Sequence, residues 1–155
     1  MNVLINDRAS LIAKDIQLEI TSVIKLCEDQ IDELGHLNHV SALKVLEYAR
    51  DDWYQAAGLW EGRSWSADEA LSAIVLNVNF NYRLECFSGE TVTVKTRALN
   101  RGAKSFGLIQ EISKEDGRIA IEGTATSLVM NLKEHQTLAV PDCLARFLAK
   151  RNKVI

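Results

Sequence analysis

Asp32-Glu33-Leu34-Gly35-His36-Leu37-Asn38-His39, running on through Val40-Ser41-Ala42-Leu43-Lys44-Val45-Leu46-Glu47-Tyr48-Ala49-Arg50, is the stretch on which the fold turns. Ala42, Val45, Leu46, Ala49, Trp53, Ala56 and Ala57 recur at i, i+3, i+4, i+7, i+11, i+14 and i+15, an apolar stripe at the helical period. That spacing predicts one long helix with Asn38 as its N-cap and Gly58 as its stop. The small residues in the stripe let the helix lie close to a sheet. Residues 29–38, polar with a single glycine, read as a loop leading into it.

Outward from the helix the pattern changes period. Residues 16–28, rich in β-branched side chains, read as a strand before the loop. From Ala73 to Leu84 the pattern alternates, with Ile74, Leu76, Val78, Phe80 and Tyr82 facing one way and Asn77, Asn79, Asn81 and Arg83 the other. Three more strands are predicted at 90–100, 103–114 and 118–132, separated by turns at Ser88-Gly89, Arg101-Gly102 and Glu115-Asp116-Gly117. These short turns predict four antiparallel neighbours in a meander. Residues 59–69 read as irregular. Residues 1–15 read as an arm or short helix, and 141–152 as a short C-terminal helix presenting Leu144, Phe147 and Leu148. One long helix and one sheet of about five strands must bury their faces on each other, an α+β domain spanning 1–155 in which the sheet wraps the helix.

Composition narrows the function. The 155 residues carry 18 Lys plus Arg against 21 Asp plus Glu, so no cationic excess exists to neutralise a nucleic-acid backbone. Apolar runs such as Ala73-Ile74-Val75-Leu76 fall far short of the ~20 residues a membrane helix needs. Cys27, Cys86 and Cys143 stand apart with no CxxC pair, which gives neither a metal site nor a disulfide framework. With Asn6, Asp7 and Arg8 interrupting any leader-like apolar core, the expected compartment is the reducing cytoplasm.

The loop and helix together resemble a family pattern. Asp32-Glu33-Leu34-Gly35-His36-Leu37-Asn38-His39, with Leu43 to Arg50 behind it, is similar to the D-x-x-G-H-x-N-x signature of hotdog-fold acyl-CoA thioesterases, the group typified by 4-hydroxybenzoyl-CoA thioesterase. Gly102-Ala103-Lys104-Ser105-Phe106 resembles a strand of the same family. The resemblance implies a hotdog fold, thioester hydrolysis and two protomers pairing their sheets so that each site lies between them, as a homodimer or a homotetramer. It implies no cofactor beyond the CoA of the substrate, which arrives as acyl-CoA or on an acyl carrier protein.

On that basis the candidate residues have definite tasks. Asp32 matches the family's catalytic aspartate, and its carboxylate is suited to attack the thioester carbonyl or to activate a water. The oxyanion is assigned to backbone N–H groups at His39, where the helix begins with unpaired donors and the positive end of its dipole. His36 either orients Asp32, contacts the thioester, or is a turn histidine bonded to backbone. Asn38 is a cap that also borders the substrate. Glu47 resembles the helix carboxylate of a sister subgroup, and its alternative is a surface pair with Arg50. Arg97, Arg101 and Lys104 cluster in sequence near one turn, and with Ser105 they are candidates for holding CoA phosphates. Trp53, Tyr54, Trp60 and Trp65 are expected to be core or to line an acyl tunnel. Two other classes stay open: a dehydratase or hydratase on the same fold, and a non-catalytic acyl-binding protein.

Overall fold

The computed structural model describes residues 18–61, 64–65 and 71–150, so the expected arm at 1–15 lies outside the described residues. Strand β1 (Glu19–Lys25) is followed by a 3-10 turn at Glu28–Gln30 and by helix α1 (His39–Ala57). Next come β2 (Trp60–Glu61), β3 (Ser64–Trp65), β4 (Leu71–Tyr82), β5 (Thr91–Arg101), β6 (Ser105–Ser113) and β7 (Ile119–Asn131). The described residues end with β8 (Gln136–Leu138), α2 (Asp142–Ala145) and β9 (Ala149–Lys150).

Helix α1 starts and stops where its sequence says it should. The Asn38 side chain accepts a hydrogen bond from the Ser41 N–H at 2.8 Å, satisfying one of the orphan donors of the first turn. Gly58 sits in the left-handed region at φ 84°, a conformation that costs a residue with a Cβ. The buried face is Ala42, Val45, Leu46, Ala49, Arg50, Trp53, Tyr54 and Ala57, whereas Ala56 is exposed.

The strand order is β1-β5-β6-β7-β4, with β8 added to β7 and β9 to β5. This corrects the expected meander. β5, β6 and β7 are successive hairpin neighbours, but β4 pairs with β7 along Leu71–Tyr82 and does not pair with β5. The turn at Ser88-Gly89 therefore does not close a hairpin. Residues 83–90 instead cross the end of the sheet, with the Arg83 and Leu84 N–H groups donating to Ala120 O and the Gly89 N–H to Leu26 O. Eight residues can span the roughly 14 Å between the first and fourth of four adjacent strands, which a two-residue turn cannot.

A bulge between Val75 and Asn77 corrects a second expectation. One extra residue reverses the parity of a strand, so the row Ile74-Leu76-Val78-Phe80-Tyr82 does not share one face. Pairing with inward-facing β7 residues puts Ala73 and Val75 on the helix side before the bulge and Val78, Phe80 and Tyr82 there after it. The strand expected at 16–28 is shorter, and Glu28–Gln30 already belongs to the loop. The expected irregular 59–69 contains the small β2–β3 pair. The C-terminal helix expected over 141–152 is the single turn Asp142–Ala145. Leu144 and Leu148 are buried, and Lys150 belongs to the parallel pair with β5.

The helix and sheet bury two apolar clusters. One gathers Leu26, Leu37, Val45, Leu46, Cys86, Val92, Ile112 and Ile121, and the other gathers Trp53, Tyr54, Phe106, Leu108, Val129 and Leu144. A polar layer lies between them. Arg50 Nη1 donates to Gln110 Oε1 at 2.8 Å, and Gln110 Nε2 donates to Leu46 O at 2.9 Å and Thr96 Oγ1 at 3.0 Å. Arg50 is only 6% exposed, so it is not the surface partner expected for Glu47. Its guanidinium is turned inward because a helical stripe through Leu46, Arg50, Tyr54 and Ala57 faces the sheet.

Candidate active site

The loop from β1 to α1 is a tight hairpin built around Asp32. An isolated bridge joins Ile31 to Leu37, the Asp32 N–H donates to His36 O, and the Gly35 N–H returns to Asp32 O. Gly35 makes the reversal at φ 86°, in the left-handed region that a bare backbone tolerates best. Asp32 Oδ1 accepts the Leu34 N–H at 3.0 Å, an Asx turn that fixes the carboxylate's direction and leaves Oδ2 available. Asn38 ties the loop to the preceding turn through its N–H to Gln30 O at 3.2 Å while its side chain caps the helix.

The crossing segment forms the facing wall. Leu37 N–H donates to Cys86 O at 2.7 Å, stitching loop to wall, and Lys114 Nζ donates to Glu85 O at 2.7 Å from behind. Between them lies a cavity of about 350 Å³ lined by both sides: Asp32, His36, Asn38 and His39 from the loop and helix start, Tyr82, Glu85 and Cys86 from the wall. His36 presents Nε2 to Glu85 Oε1 at 3.8 Å and Nδ1 to Leu37 O at 3.4 Å. Burial pushes the Cys86 thiol up, outweighing the lowering effect of nearby Lys114, so it remains a neutral thiol at neutral pH.

Four of the residues singled out from sequence, Asp32, His36, Asn38 and His39, thus meet at one cavity. At the start of α1 the Ser41 N–H is taken by the Asn38 side chain and the Ala42 N–H by Asn38 O. The N–H groups of His39 and Val40 lie ahead of the first intrahelical bond, as every helix start requires. Glu47 is exposed on α1 and outside the cavity lining. It lies beside Asp51, whose carboxyl is held above its ordinary value by burial and then by the Glu47 charge.

Arg101, Lys104 and Ser105 are not near Asp32 in the same chain. They sit where β5 turns into β6, and β5 runs away from the cavity end for 11 residues, about 30 Å at the strand rise. Arg97 is not part of that turn, since its Nη2 pairs with Glu111 Oε1 across β5 and β6 at 3.4 Å. Trp53 and Tyr54 are core, the Trp53 Nε1–H donating to Leu18 O at 2.8 Å. The backbones of Trp60 and Trp65 pair across β2 and β3. Sequence reasoning missed the wall residues Tyr82, Glu85 and Cys86. The available signal was the eight residues between Tyr82 and Thr91, too many for the tight turn assumed there. Among the described residues no group of three His, Cys, Asp or Glu side chains is placed to hold a metal ion.

An antiparallel sheet around one long helix is the hotdog fold, and the relatives of the chain mark it as a thioester hydrolase. Residues 27–148 match the model of the thioesterase-like superfamily, and the chain belongs to that family. It is 26% identical over 118 residues to the long-chain acyl-CoA thioesterase FadM of Escherichia coli, covering 76% of this chain and 87% of that protein. It is 30% identical over 125 residues to the L-carnitine dehydrogenase/betainyl-CoA thioesterase of Agrobacterium fabrum, covering 79% of this chain but 25% of that larger protein. A Staphylococcus aureus protein solved in complex with CoA superposes with a TM-score of 0.74 at 18% identity, covering 83% of this chain and 80% of that one, a likeness of fold.

Proposed function

We propose that the protein hydrolyses acyl-CoA thioesters, with Asp32 as the reacting carboxylate and the first-turn N–H groups at His39 as the oxyanion donors. The observation that carries this reading is the convergence of Asp32 and the start of α1 on one cavity. The carboxylate either attacks the thioester carbon or takes a proton from the water that does. In both routes the carbonyl oxygen gains the electron pair in the tetrahedral intermediate, and its collapse breaks the carbon–sulfur bond and releases CoA thiolate; after direct attack the acyl group is left as a mixed anhydride on Asp32, which water then hydrolyses to the free acid and the restored carboxylate. Backbone donors at a helix start already point outward and need no reorganisation as that charge develops, and one such donor is worth about 10²–10³ in rate. Two relatives named for acyl-CoA and betainyl-CoA hydrolysis support the CoA thioester as substrate over a carrier-protein one. The test is release of free thiol from a panel of acyl-CoA and acyl-carrier-protein substrates, which also separates a hydrolase from an acyl-binding protein.

The reading includes a second copy of the chain. β4 is an edge strand, and Val75, Leu76, Val78 and Tyr82 on it are 44, 56, 39 and 49% exposed, a hydrophobic edge that isolated proteins avoid. Antiparallel pairing of two such edges sets the Lys104 end of one sheet beside the Asp32 end of the other. Arg101, Lys104 and Ser105 then reach the CoA phosphates of the partner's site. A monomeric mass by light scattering at micromolar concentration contradicts this arrangement. With CoA as part of the substrate and Cys27, Cys86 and Cys143 all unpaired, the compartment we assign is the cytoplasm.

A further inference from the structure

The ammonium of Lys114 is enclosed, its side chain only 12% exposed, yet hydrolysis as described above gives it no task. It springs from a rigid hairpin turn. The Lys114 N–H donates to Arg118 O, the Gly117 N–H donates to Lys114 O, and Asp116 Oδ1 accepts the Arg118 N–H. From there the side chain reaches the crossing segment and meets it at three points. Nζ donates to Glu85 O at 2.7 Å, pairs with Glu90 Oε1 at 3.0 Å and lies 5.2 Å from the centre of the Phe87 ring. Glu90 Oε2 accepts the Phe87 N–H at 2.9 Å, so one carboxylate joins the ammonium to the backbone of the same segment.

The main-chain anchors of this segment lie mostly at its ends. The Arg83 and Leu84 N–H groups donate to Ala120 O at one end. At the other, the Gly89 N–H donates to Leu26 O and Glu90 O accepts the Leu26 N–H. Between them, residues 85–88 make one main-chain bond to another element among the described residues, from the Leu37 N–H to Cys86 O at 2.7 Å. That bond draws the wall toward the loop of Asp32, and Lys114 holds it from behind. Glu85 and Cys86 line the cavity opposite Asp32 and His36, whereas Lys114 lies outside the lining. The place of the wall therefore depends on a side chain that never enters the cavity.

Resting on the thioesterase reading above, we propose that Lys114 is a positioning residue for substrate selection: it fixes the wall at Glu85 and Cys86, and with it the width of the acyl cavity, without touching the reacting atoms. Asp32 and the start of α1 are held by bonds of their own, from the Leu34 N–H to Asp32 Oδ1 and from the Ser41 N–H to the Asn38 side chain. Loosening the wall changes which acyl groups fit more than how fast a well-seated one reacts. A fixed wall discriminates because a misfitting group must displace it, and a wall free to give accepts more shapes.

Two measurements test this, and the first needs no substrate. In a Cys27→Ser/Cys143→Ser background Cys86 is the sole thiol, 2% exposed, and its labelling by an aromatic disulfide times the opening of the wall. Lys114→Met keeps an unbranched apolar stem and drops the charge, and labelling is expected to quicken by about tenfold or more. Electrostatics alone has the opposite sign. Burial pushes the Cys86 thiol up and the Lys114 charge draws it down, so loss of that charge leaves less thiolate and slower labelling. The second measurement is kcat/KM on acetyl-, butanoyl-, hexanoyl- and benzoyl-CoA. The ratio between the best and the worst cleaved of these is expected to fall by about fivefold in Lys114→Met, mainly through KM, and to return in Lys114→Arg, which keeps the cation. A role in folding alone lowers the melting temperature and scales every substrate alike. Labelling of Cys86 at the wild-type rate, or an unchanged substrate ratio in a folded Lys114→Met, overturns the assignment. If Lys114→Met does not fold, Glu90→Gln, which weakens the hold on the ammonium, takes its place with the same expectations at smaller size. Wild-type inactivity toward every acyl-CoA removes the hydrolase reading instead, and the labelling still decides whether Lys114 holds the wall.

Discussion

The two ends of the sheet are opposites. Where β4 stops and β5 begins, the surface is acidic and hollow: Asp32 and Glu85 line a cavity, and Arg83 and Arg118 are each bound to a carboxylate. Where β5 turns into β6, the surface carries Arg101 and Lys104 above a closed aromatic core of Trp53, Tyr54, Phe106 and Phe147, stacked edge to face. The loop carboxylate proposed to react and the candidate phosphate cations therefore lie at opposite ends of β5, a strand of 11 residues. CoA asks for both, since its thioester needs a carboxylate and its phosphates need cations that this carboxylate would otherwise bind. On the proposed pairing of two chains, a symmetric neighbour supplies the missing half.

The comparison breaks hardest at the acidic end. Asp32→Asn preserves the shape and the Asx turn but removes the charge, and kcat is expected to fall by about 10³ or more. Next in size is the layer joining the two halves of the core. Gln110→Leu removes an acceptor from the buried Arg50 guanidinium and the donor to the Thr96 hydroxyl and the Leu46 carbonyl, at a cost of about 2–3 kcal/mol measured by urea denaturation. At the basic end the effect is smaller and confined to binding. Lys104→Ala is expected to raise KM for acyl-CoA by about fivefold while leaving a thioester without the nucleotide unaffected, because a phosphate contact acts equally on ground and transition states. Equal KM values would detach the basic end from the substrate.

The weakest expected effect is on pH. Burial alone would raise the Glu90 carboxyl, but the hydrogen bond from the Phe87 N–H and the Lys114 ammonium hold it below its ordinary value of 4.5. A carboxylate lowered by folding stabilises the native state above 4.5, and that contribution is lost as the pH falls through its lowered native value. Glu90→Gln should therefore reduce stability at pH 7, and the difference should shrink as the pH falls below 4.5 and through the lowered native value. Thermal melts of both proteins across that range measure the difference.

How much of this was legible in the sequence differs between the same two ends. Helix α1 was readable from Asn38 to Gly58 because propensity, stripe, cap and stop all agree there, and so was the loop that brings Asp32, His36 and His39 together. The facing wall was not. Residues 83–90 carry a turn signal at Ser88-Gly89 and look like a hairpin, and only the long-range choice of β7 over β5 as partner of β4 makes them a crossing. The bulge at Val75–Asn77 falls where the apolar run Ala73-Ile74-Val75-Leu76 interrupts the alternation, a mark that reading the whole strand as one period of two passes over. Arg50 read as a surface residue because it is charged, although its spacing from Leu46, Tyr54 and Ala57 already put it on the buried face.

The central claim is that the reacting carboxylate is in the loop and not on the helix. It is tested most directly by kcat on one well-cleaved acyl-CoA for Asp32→Asn beside Glu47→Gln, with circular dichroism showing both folded. The account predicts a dead Asp32→Asn and a Glu47→Gln within about twofold of wild type, since Glu47 is exposed outside the cavity lining. An active Asp32→Asn with a dead Glu47→Gln contradicts it and moves the chemistry to the helix.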